Sequence, residues 1–182
     1  MVYFLLADGF EESEAIVPID ILKRAGEKVM TVSFTENLFV TGTHNITLKC
    51  DININEAKFS DMSAVVMPGG MPGADNLDKS PKINEILKIA SDKGAVMGAI
   101  CAAPMILGKR GFLKGKKATC YQGFENSLIG ADVIKSAAVK DGKIVTASGA
   151  GGAFEFGFEL INAIRSDSEI SDKIKKQINF FR

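Results

Sequence analysis

Short runs of apolar residues alternate with amphipathic segments along this chain. Several of the runs are apolar at every position, which is typical of strands in a sheet whose two faces are both covered. The runs that predict strands span residues 2–7, 29–34, 64–67, 95–100, 118–120 and 144–147. The pattern therefore favours a mostly parallel sheet with helices on both faces.

The segments between these runs repeat apolar residues at the spacing of an α-helix. Three stripes are predicted to face the core: Ile83, Ile86, Leu87 and Ala90; Phe154, Phe158, Ile161 and Ile164; and Ile170, Ile174, Ile178 and Phe181. A further helix is predicted over residues 12–24, where Pro18 removes a backbone donor and is expected to kink or interrupt it. Residues 38–52 have the character of a β-hairpin at a sheet edge.

The alternation of strands and helices predicts a doubly wound α/β sandwich. Ligands of such folds bind at the carboxyl ends of the strands. The 182 residues contain no internal repeat, low-complexity tract or linker. We therefore expect a single domain over residues 1–182.

Composition and charge exclude several classes of partner. The 22 basic and 22 acidic residues cancel, so no net field attracts nucleic acid or an anionic membrane. The apolar run 2–7 is too short for a signal peptide or a membrane span. Three cysteines without Cys-x-x-Cys spacing argue against a disulfide framework, and a single histidine argues against a zinc site. We expect a cytoplasmic protein without a metal.

Cys101 lies between the apolar run 95–100 and a short helix-like stretch that begins near Pro104. The spacing places its thiol at a sharp strand-to-helix turn, where helix N-terminal amides favour the thiolate. The thiolate is the nucleophilic form of cysteine. Taken alone, a packing role is the commoner role of a free cysteine.

Two other loops follow predicted strands and bring further candidate residues. In the acidic loop, Glu11 and Glu12 are expected to cap the following helix, whereas Glu14 lies one turn further in. If Glu14 turned toward the sheet, burial would raise its pKa, and the neutral acid could donate a hydrogen bond to a thiolate. The Gly69–Gly70 pair, if it is more than a plain turn, could supply half of an oxyanion hole, with the Ala102 amide as the other half.

Four ordered motifs resemble those of the ThiJ/PfpI superfamily, and most closely its DJ-1 branch. They are residues 9–14 (GFEESE), 66–70 (VMPGG), 99–104 (AICAAP) and 149–156 (GAGGAFEF). The resemblance implies a flavodoxin-like sandwich of the class I glutamine amidotransferase-like type, and a homodimer. It also implies a reactive Cys101 at a nucleophile elbow, a protonated Glu14 beside it and amides at Gly70. Members of this branch have been described as glyoxalases, deglycases, redox sensors and chaperones.

Two departures from the family pattern concern histidines. The residue after the nucleophile is Ala102, and Tyr121 stands where many relatives carry a histidine in the loop after the next strand. The only histidine, His44, is predicted to lie on the hairpin, at the surface or at a dimer edge. A Cys–His–acid triad is therefore not expected, which argues against a cysteine peptidase. Tyr121 and Gly69 are candidates to line a substrate site.

Two functions from different classes follow from these residues. The first is a cofactor-independent enzyme that acts on reactive carbonyls such as methylglyoxal or on glycated adducts, with Cys101 as nucleophile and Glu14 as acid and base. It needs no metal, nicotinamide or glutathione. The second is a redox-sensing dimer in which Cys101 is oxidised and Cys120 either packs in the core or acts as a resolving thiol.

Overall fold

The computed structural model describes residues 1–181, within which eleven strands and six α-helices are formed. The strands are β1 (Val2–Leu6), β2 (Val29–Ser33), β3 (Phe39–Thr41), β4 (Thr47–Lys49), β5 (Ile52–Asn53), β6 (Ala64–Met67), β7 (Val96–Ile100), β8 (Lys117–Ala118), β9 (Asp132–Val133), β10 (Ala138–Asp141) and β11 (Ile144–Ala147). The helices are α1 (Glu12–Arg24), α2 (Gly73–Lys79), α3 (Lys82–Asp92), α4 (Pro104–Lys109), α5 (Ala153–Arg165) and α6 (Glu169–Gln177).

Seven strands form the main sheet in the order β10-β11-β7-β6-β1-β2-β5. Every neighbouring pair is parallel except β10 and β11, which form an antiparallel pair at one edge. In the centre, Val65 of β6 lies between Tyr3 of β1 and Met97 of β7. The predicted α/β architecture with a mostly parallel sheet is confirmed.

Alternate side chains of the central strands enter two separate cores. On one face, Leu5, Val65 and Met97 pack in a cluster with residues of α2, α3 and α4. On the other face, Phe4 and Val66 pack with residues of α1, α5 and α6. This alternation follows from the two-residue period of a strand. It explains why the central strands are apolar at every position.

The segment 38–52 forms the predicted antiparallel hairpin from β3 and β4. The hairpin is a sheet of its own and is not an edge of the main sheet, where β5 takes the edge position beside β2. Val40 packs with Leu6, Phe10 and Ala15 in a third apolar cluster. The hairpin therefore covers the beginning of α1 and the loop before it.

Three details of the predicted elements are wrong. Helix α1 continues from Glu12 to Arg24 with Pro18 inside it, so of the two expected outcomes, a kink or an interruption, the interruption does not occur. We attribute this to the packing of α1 against α5 and the sheet, which offsets the lost hydrogen bond. The predicted strand 118–120 is shortened to β8, which pairs with β9 outside the main sheet.

The third wrong detail concerns two aromatic residues of the predicted stripes. Phe154 is 40% exposed and Phe181 is 90% exposed, whereas Phe156 and Leu160 of α5 are fully buried. Phe158 and Ile161 of the predicted stripe are buried, so the periodic pattern identified the buried face of α5 only in part, because this helix is apolar on more than one side. None of the helices within residues 1–181 has both the length and the apolar character needed to cross a membrane.

Candidate active site

Three loops meet at the carboxyl ends of adjacent strands. Strands β7, β6 and β1 are neighbours in the sheet and are parallel, so the segments that follow them emerge at the same edge. These segments carry Cys101, the Gly69–Gly70 pair and the acidic loop with Glu14. The structure therefore brings together all three groups of residues that the sequence indicated.

Cys101 lies in the sharp turn between β7 and α4, with its backbone in the left-handed region at φ 65°. For a residue other than glycine this conformation costs roughly 1–3 kcal/mol. Two hydrogen bonds hold it: the Cys101 N–H donates to the carbonyl of Ala147 at 2.9 Å, and the Tyr121 N–H donates to the carbonyl of Cys101 at 2.8 Å. The thiol, only partly buried, is thus fixed at the edge of the sheet.

Glu14 is 1% exposed and lies in the first turn of α1. The turn is fixed by Glu11, whose Oε2 accepts a hydrogen bond from the Glu14 N–H at 2.7 Å and another from the Ser13 hydroxyl at 2.7 Å. The expected capping role of Glu11 is confirmed. The cap directs the carboxyl of Glu14 toward the sheet, where its Oε2 accepts a hydrogen bond from the Gly69 N–H at 2.8 Å.

The two glycines after β6 allow Glu14 and Cys101 to approach each other. A Cβ atom at Gly69 would lie 2.5 Å from the Cβ of Cys101 and 2.7 Å from the Oε2 of Glu14. Gly70 has φ 83°, and any side chain there would collide with the backbone of the acidic loop. Gly69 therefore lies between Cys101 and Glu14, and its lack of a side chain leaves room for the two to meet.

The sulfur of Cys101 lies within hydrogen-bonding reach of three groups: the Glu14 carboxyl and the N–H groups of Gly70 and Ala102. These are the two amides that the sequence suggested as an oxyanion hole. They face the sulfur itself, so they are placed to stabilise negative charge on sulfur and on an oxygen atom next to it, whether that oxygen is attached to sulfur or to a carbon bound to sulfur.

The ionisation of the pair differs from the expectation in one respect. Burial raises the pKa of Glu14 to about 7, as expected, although hydrogen bonds from Cys101, Gly69 and Ala150 oppose the shift. The expected low thiol pKa is wrong: burial and then the adjacent Glu14 carboxylate raise the pKa of Cys101 to about 12, against the effect of the two amides. A desolvated sulfur beside a carboxylate does not ionise first.

Cys101 and Glu14 therefore titrate as a coupled pair that shares one proton above pH 7, and desolvation of the sulfur favours the thiol with a Glu14 carboxylate. Glu14 accordingly acts on Cys101 as a carboxylate base within hydrogen-bonding reach, and not as a neutral donor to a resident thiolate. A nucleophile can be activated in either way, since an adjacent base can take the proton while the nucleophile attacks.

Sequence reasoning missed one donor to Glu14. The Ala150 N–H, in the short 3-10 turn Ala150–Gly152 after β11, faces the Glu14 carboxyl and opposes the rise of its pKa. The glycine-rich motif at residues 149–156 was the available signal for it. Gly149 lies beside the Glu14 carboxyl and the ring of Tyr121, because its Cβ position is 3.8 Å from Glu14 Oε1 and 3.3 Å from Tyr121 Cδ2. Tyr121 therefore borders the site, with its side chain 53% exposed.

Glu12 does not cap α1, contrary to the expectation, but joins the helix to the hairpin. Its Oε1 accepts a hydrogen bond from the His44 N–H at 2.7 Å, and its Oε2 lies 2.8 Å from His44 Nδ1. Burial would raise the pKa of Glu12, but the hydrogen bonds, chiefly that from the His44 side chain, lower it to about 2. His44 is exposed on the hairpin, as predicted, and pairs with Glu12.

Glu11, Glu12 and His44 are the one grouping of possible metal ligands within residues 1–181, with ligand atoms within 4.8 Å of one another. Glu11 Oε2 and both oxygens of Glu12 already accept hydrogen bonds from protein donors. The three side chains lie together because Glu11 caps α1 and Glu12 joins α1 to His44 on the hairpin. Cys50 and Cys120 are buried free thiols.

Comparisons with known proteins agree with this geometry. Residues 1–163 match the model of the DJ-1/PfpI family. The chain is 34% identical to DJ-1 homolog B of Arabidopsis thaliana over 86% of its own length, but spans only 36% of that relative. It is 31% identical to a Pyrococcus abyssi protein named a deglycase, with 90% of this chain and 99% of that protein aligned.

A solved structure of oxidized DJ-1 from Toxoplasma gondii superimposes with a TM-score of 0.93 at 31% identity. The match covers 100% of this chain and 98% of the other. This similarity confirms the flavodoxin-like, class I glutamine amidotransferase-like fold that the motifs implied. By its family match, its sequence identity and its fold, the chain belongs to the DJ-1/PfpI family.

Proposed function

We propose that this protein is a cofactor-independent, cysteine-dependent enzyme that acts on reactive carbonyls, in the manner of a glyoxalase or deglycase. One observation carries the proposal: the partly exposed Cys101 sulfur is within hydrogen-bonding reach of a buried carboxyl with a pKa near 7 and of two backbone amides. This set contains a nucleophile, a base and oxyanion donors. The deglycase name of the Pyrococcus abyssi relative supports it.

The first step is addition of the thiol to an aldehyde. As the Cys101 sulfur forms a bond to the carbonyl carbon, Glu14 takes the thiol proton, and the carbonyl π electrons move to oxygen. Glu14 then returns the proton to that oxygen, which gives a hemithioacetal and a free carboxylate. The amides of Gly70 and Ala102 stabilise the negative oxygen in the transition state.

The second step moves a hydrogen between the two carbons of a 2-oxoaldehyde. The Glu14 carboxylate removes the proton from the carbon attached to sulfur, and the neighbouring ketone oxygen takes up a proton, which gives an enediol. The neighbouring carbon is then protonated by Glu14 while the hydroxyl on the carbon attached to sulfur loses its proton and becomes the carbonyl, which gives a thioester of a 2-hydroxy acid. Water hydrolyses the thioester and restores the thiol. The sum is methylglyoxal plus water to lactate, without an oxidant or reductant.

A glycated amine enters the same sequence one step earlier. The sulfur displaces nitrogen from the aminocarbinol carbon, the carbon–nitrogen bond breaks, and the amine leaves with a proton from Glu14. The hemithioacetal that results is the same. The sum is then adduct plus water to free amine plus 2-hydroxy acid.

The proposal is tested by incubating the purified protein with methylglyoxal in the absence of glutathione. We expect methylglyoxal to be consumed and an equal amount of lactate to be formed. Loss of methylglyoxal without lactate would mean only covalent trapping by protein side chains, and would contradict the proposed turnover.

A cysteine peptidase or hydrolase is the least supported reading, because the only histidine pairs with Glu12 on the hairpin. A Cys–His–acid triad needs that histidine beside the nucleophile.

Redox sensing is the second candidate, and it is favoured by the different exposure of the three thiols. Cys101 is partly exposed, whereas Cys50 and Cys120 are buried. Peroxide would convert the Cys101 thiol to a sulfenic acid with release of water, and the Gly70 and Ala102 amides could bind the added oxygen.

We expect limiting peroxide to oxidise Cys101 at least about tenfold faster than Cys50, because the reactivity of a thiol depends on access and on an adjacent base. Mass spectrometry of peptides after short exposure measures the three rates in one sample, so Cys50 and Cys120 are internal controls. Equal rates at Cys101 and Cys50 would contradict the sensor role.

We further propose that the protein forms a homodimer, as the family resemblance implies. Helices α1 and α5 pack side by side on one face and leave the apolar side chains of Ile16 and Phe154 about 40% exposed. Light scattering is expected to give twice the chain mass of 19.5 kDa, and a monomeric mass at micromolar concentration would contradict it. A cytoplasmic location stays a prediction from the unpaired cysteines.

A further inference from the structure

Thr146 is a fully buried polar residue of β11, a strand whose other residues are all apolar. Ile144 of this strand packs in the core cluster with α4, whereas Val145 and Ala147 pack in the cluster with α1 and α5. Because side chains alternate along a strand, the Thr146 hydroxyl faces the first of these clusters. A hydroxyl in an apolar core costs free energy unless it is hydrogen-bonded, so its partner is informative.

That partner is the backbone of Thr119, in the segment that follows β8. The Thr119 N–H donates to Thr146 Oγ1 at 2.9 Å, and the bond is buried. Thr119 is itself only 3% exposed, and its own hydroxyl donates to the Ser136 carbonyl at 3.2 Å. Strand β8 pairs with β9 in a small sheet and does not belong to the main sheet. The Thr146 hydroxyl therefore joins a segment outside the main sheet to a strand within it.

This bond closes a ring of hydrogen bonds around Cys101. The Cys101 N–H donates to the carbonyl of Ala147, the residue after Thr146. The Cys101 carbonyl accepts from the N–H of Tyr121, two residues after Thr119. Both backbone groups of Cys101 are thus held by segments that Thr146 joins to each other. Cys101 has φ 65°, a conformation that persists in a residue other than glycine only where the surroundings impose it, and the ring supplies those surroundings.

We propose that Thr146 is a positioning residue of the active site, which holds the Cys101 turn in its left-handed conformation and so keeps the sulfur against Glu14. It acts through the segment that follows β8, and not on the reacting atoms. Without the hydroxyl, the buried N–H of Thr119 loses its acceptor, and this segment can draw away from the turn. The turn then relaxes, and the sulfur moves away from the carboxylate. This inference rests on the proposed function, in which Glu14 is the base that acts on Cys101.

The test measures alkylation of Cys101 by iodoacetamide at pH 7 and at pH 8.5, because this reaction reports on the sulfur and its base and needs no turnover. Thr146→Val has nearly the shape of threonine but no acceptor, and Thr146→Ser keeps the hydroxyl. Ser33→Ala is the matched control. Ser33 is a fully buried residue of β2, on the other side of the main sheet, and its hydroxyl accepts a hydrogen bond from the Thr35 N–H at 3.1 Å.

The expected readout is the ratio of the alkylation rate at pH 8.5 to that at pH 7. In the wild-type protein this ratio should be about two, because the Glu14 carboxylate, with a pKa of about 7, takes the thiol proton. In Thr146→Val the sulfur no longer faces that base and reacts as an ordinary thiol with a pKa of about 8.5, so the ratio should rise to about 15. Thr146→Ser and Ser33→Ala should keep the wild-type ratio, because a loss of stability alone does not change it.

A wild-type ratio in Thr146→Val would overturn the proposal, and so would a raised ratio in Thr146→Ser or in Ser33→Ala. If Thr146→Val does not fold, hydrogen exchange of the wild-type protein decides. The amides of Cys101, Thr119 and Tyr121 should then open together, with protection factors within about tenfold of one another. A Thr119 amide that is much less protected than the other two would contradict the role of Thr146.

The proposed function fails in a different way. If the alkylation ratios are as expected but the wild-type protein forms no lactate from methylglyoxal, the enzyme is contradicted and the role of Thr146 stands. A wild-type ratio of about 15 would contradict Glu14 as the base, and the proposal for Thr146 with it.

Discussion

Replacement of Cys101 by serine is expected to lower the turnover of methylglyoxal by at least about 10³-fold, to the background of the uncatalysed reaction. The hydroxyl has nearly the size of the thiol, so the turn between β7 and α4, with its two backbone hydrogen bonds, should be kept. A serine hydroxyl is a much weaker nucleophile, and a carboxylate with a pKa near 7 is too weak a base to ionise it. The measurement is the rate of lactate formation at saturating methylglyoxal.

Cys50→Ser is the control for Cys101→Ser, because it changes a buried thiol of the same chain that belongs to the apolar cluster under the hairpin and not to the site. It should keep most of the wild-type rate. If Cys101→Ser retains a substantial fraction of the wild-type turnover, the sulfur is not the nucleophile. If both variants lose activity together, the loss reports damage to the fold and thermal unfolding will show it.

Replacement of Glu14 by glutamine is expected to lower turnover by about 10²–10⁴-fold, the usual contribution of a general base. The amide has the shape of the carboxyl and can still accept the hydrogen bond from Gly69, but it cannot take the thiol proton. In the wild-type protein the rate should rise with pH and level off above about 7, because the active form has Glu14 ionised. The residual activity of Glu14→Gln should lack this step. A wild-type rate that is flat between pH 5 and 8 would contradict the role of Glu14 as base.

The same variant has a stability signature with a definite sign. Because burial raises the pKa of Glu14 from 4.5 to about 7, the folded state keeps a proton that the unfolded state loses. The titration of Glu14 therefore does not change the free energy of unfolding below pH 4.5. Between pH 4.5 and 7 it lowers this free energy progressively, and above pH 7 the lowering stays constant. The free energy of unfolding of the wild-type protein should fall relative to that of Glu14→Gln by about 3 kcal/mol across this range. Glu85→Gln, on the exposed side of α3, should show no such change.

Ultraviolet absorption of the wild-type protein separates the two possible positions of the proton shared by Cys101 and Glu14. If the thiol were already ionised and Glu14 neutral, ultraviolet absorption of a thiolate would be visible in the wild-type protein near pH 7. We expect this absorption to be absent at pH 7, because burial and then the Glu14 carboxylate raise the pKa of Cys101 to about 12.

Local pattern was enough to predict most of the fold. The bounds of α1, the stripe of α3 and the hairpin of β3 and β4 agree with the sequence, because each depends on residues close together in the chain. The residues of the candidate site could also be predicted from the sequence. Parallel neighbouring strands end at one edge of a sheet, so loops after β1, β6 and β7 had to meet once the sheet order was fixed.

What the sequence alone determined, then, is which residues stand at the strand ends and which chemical groups they carry. Only the tertiary structure decided how those groups act. Its position in the sequence would allow Glu12 to cap α1. In the folded chain its carboxylate instead binds the backbone and side chain of His44 on the hairpin. The Cys101 thiol was expected to have a low pKa near helix amides, but burial and the adjacent Glu14 raise that pKa instead. Hydrogen-bond competition and desolvation depend on which distant residues surround a group, and no local pattern encodes that surrounding.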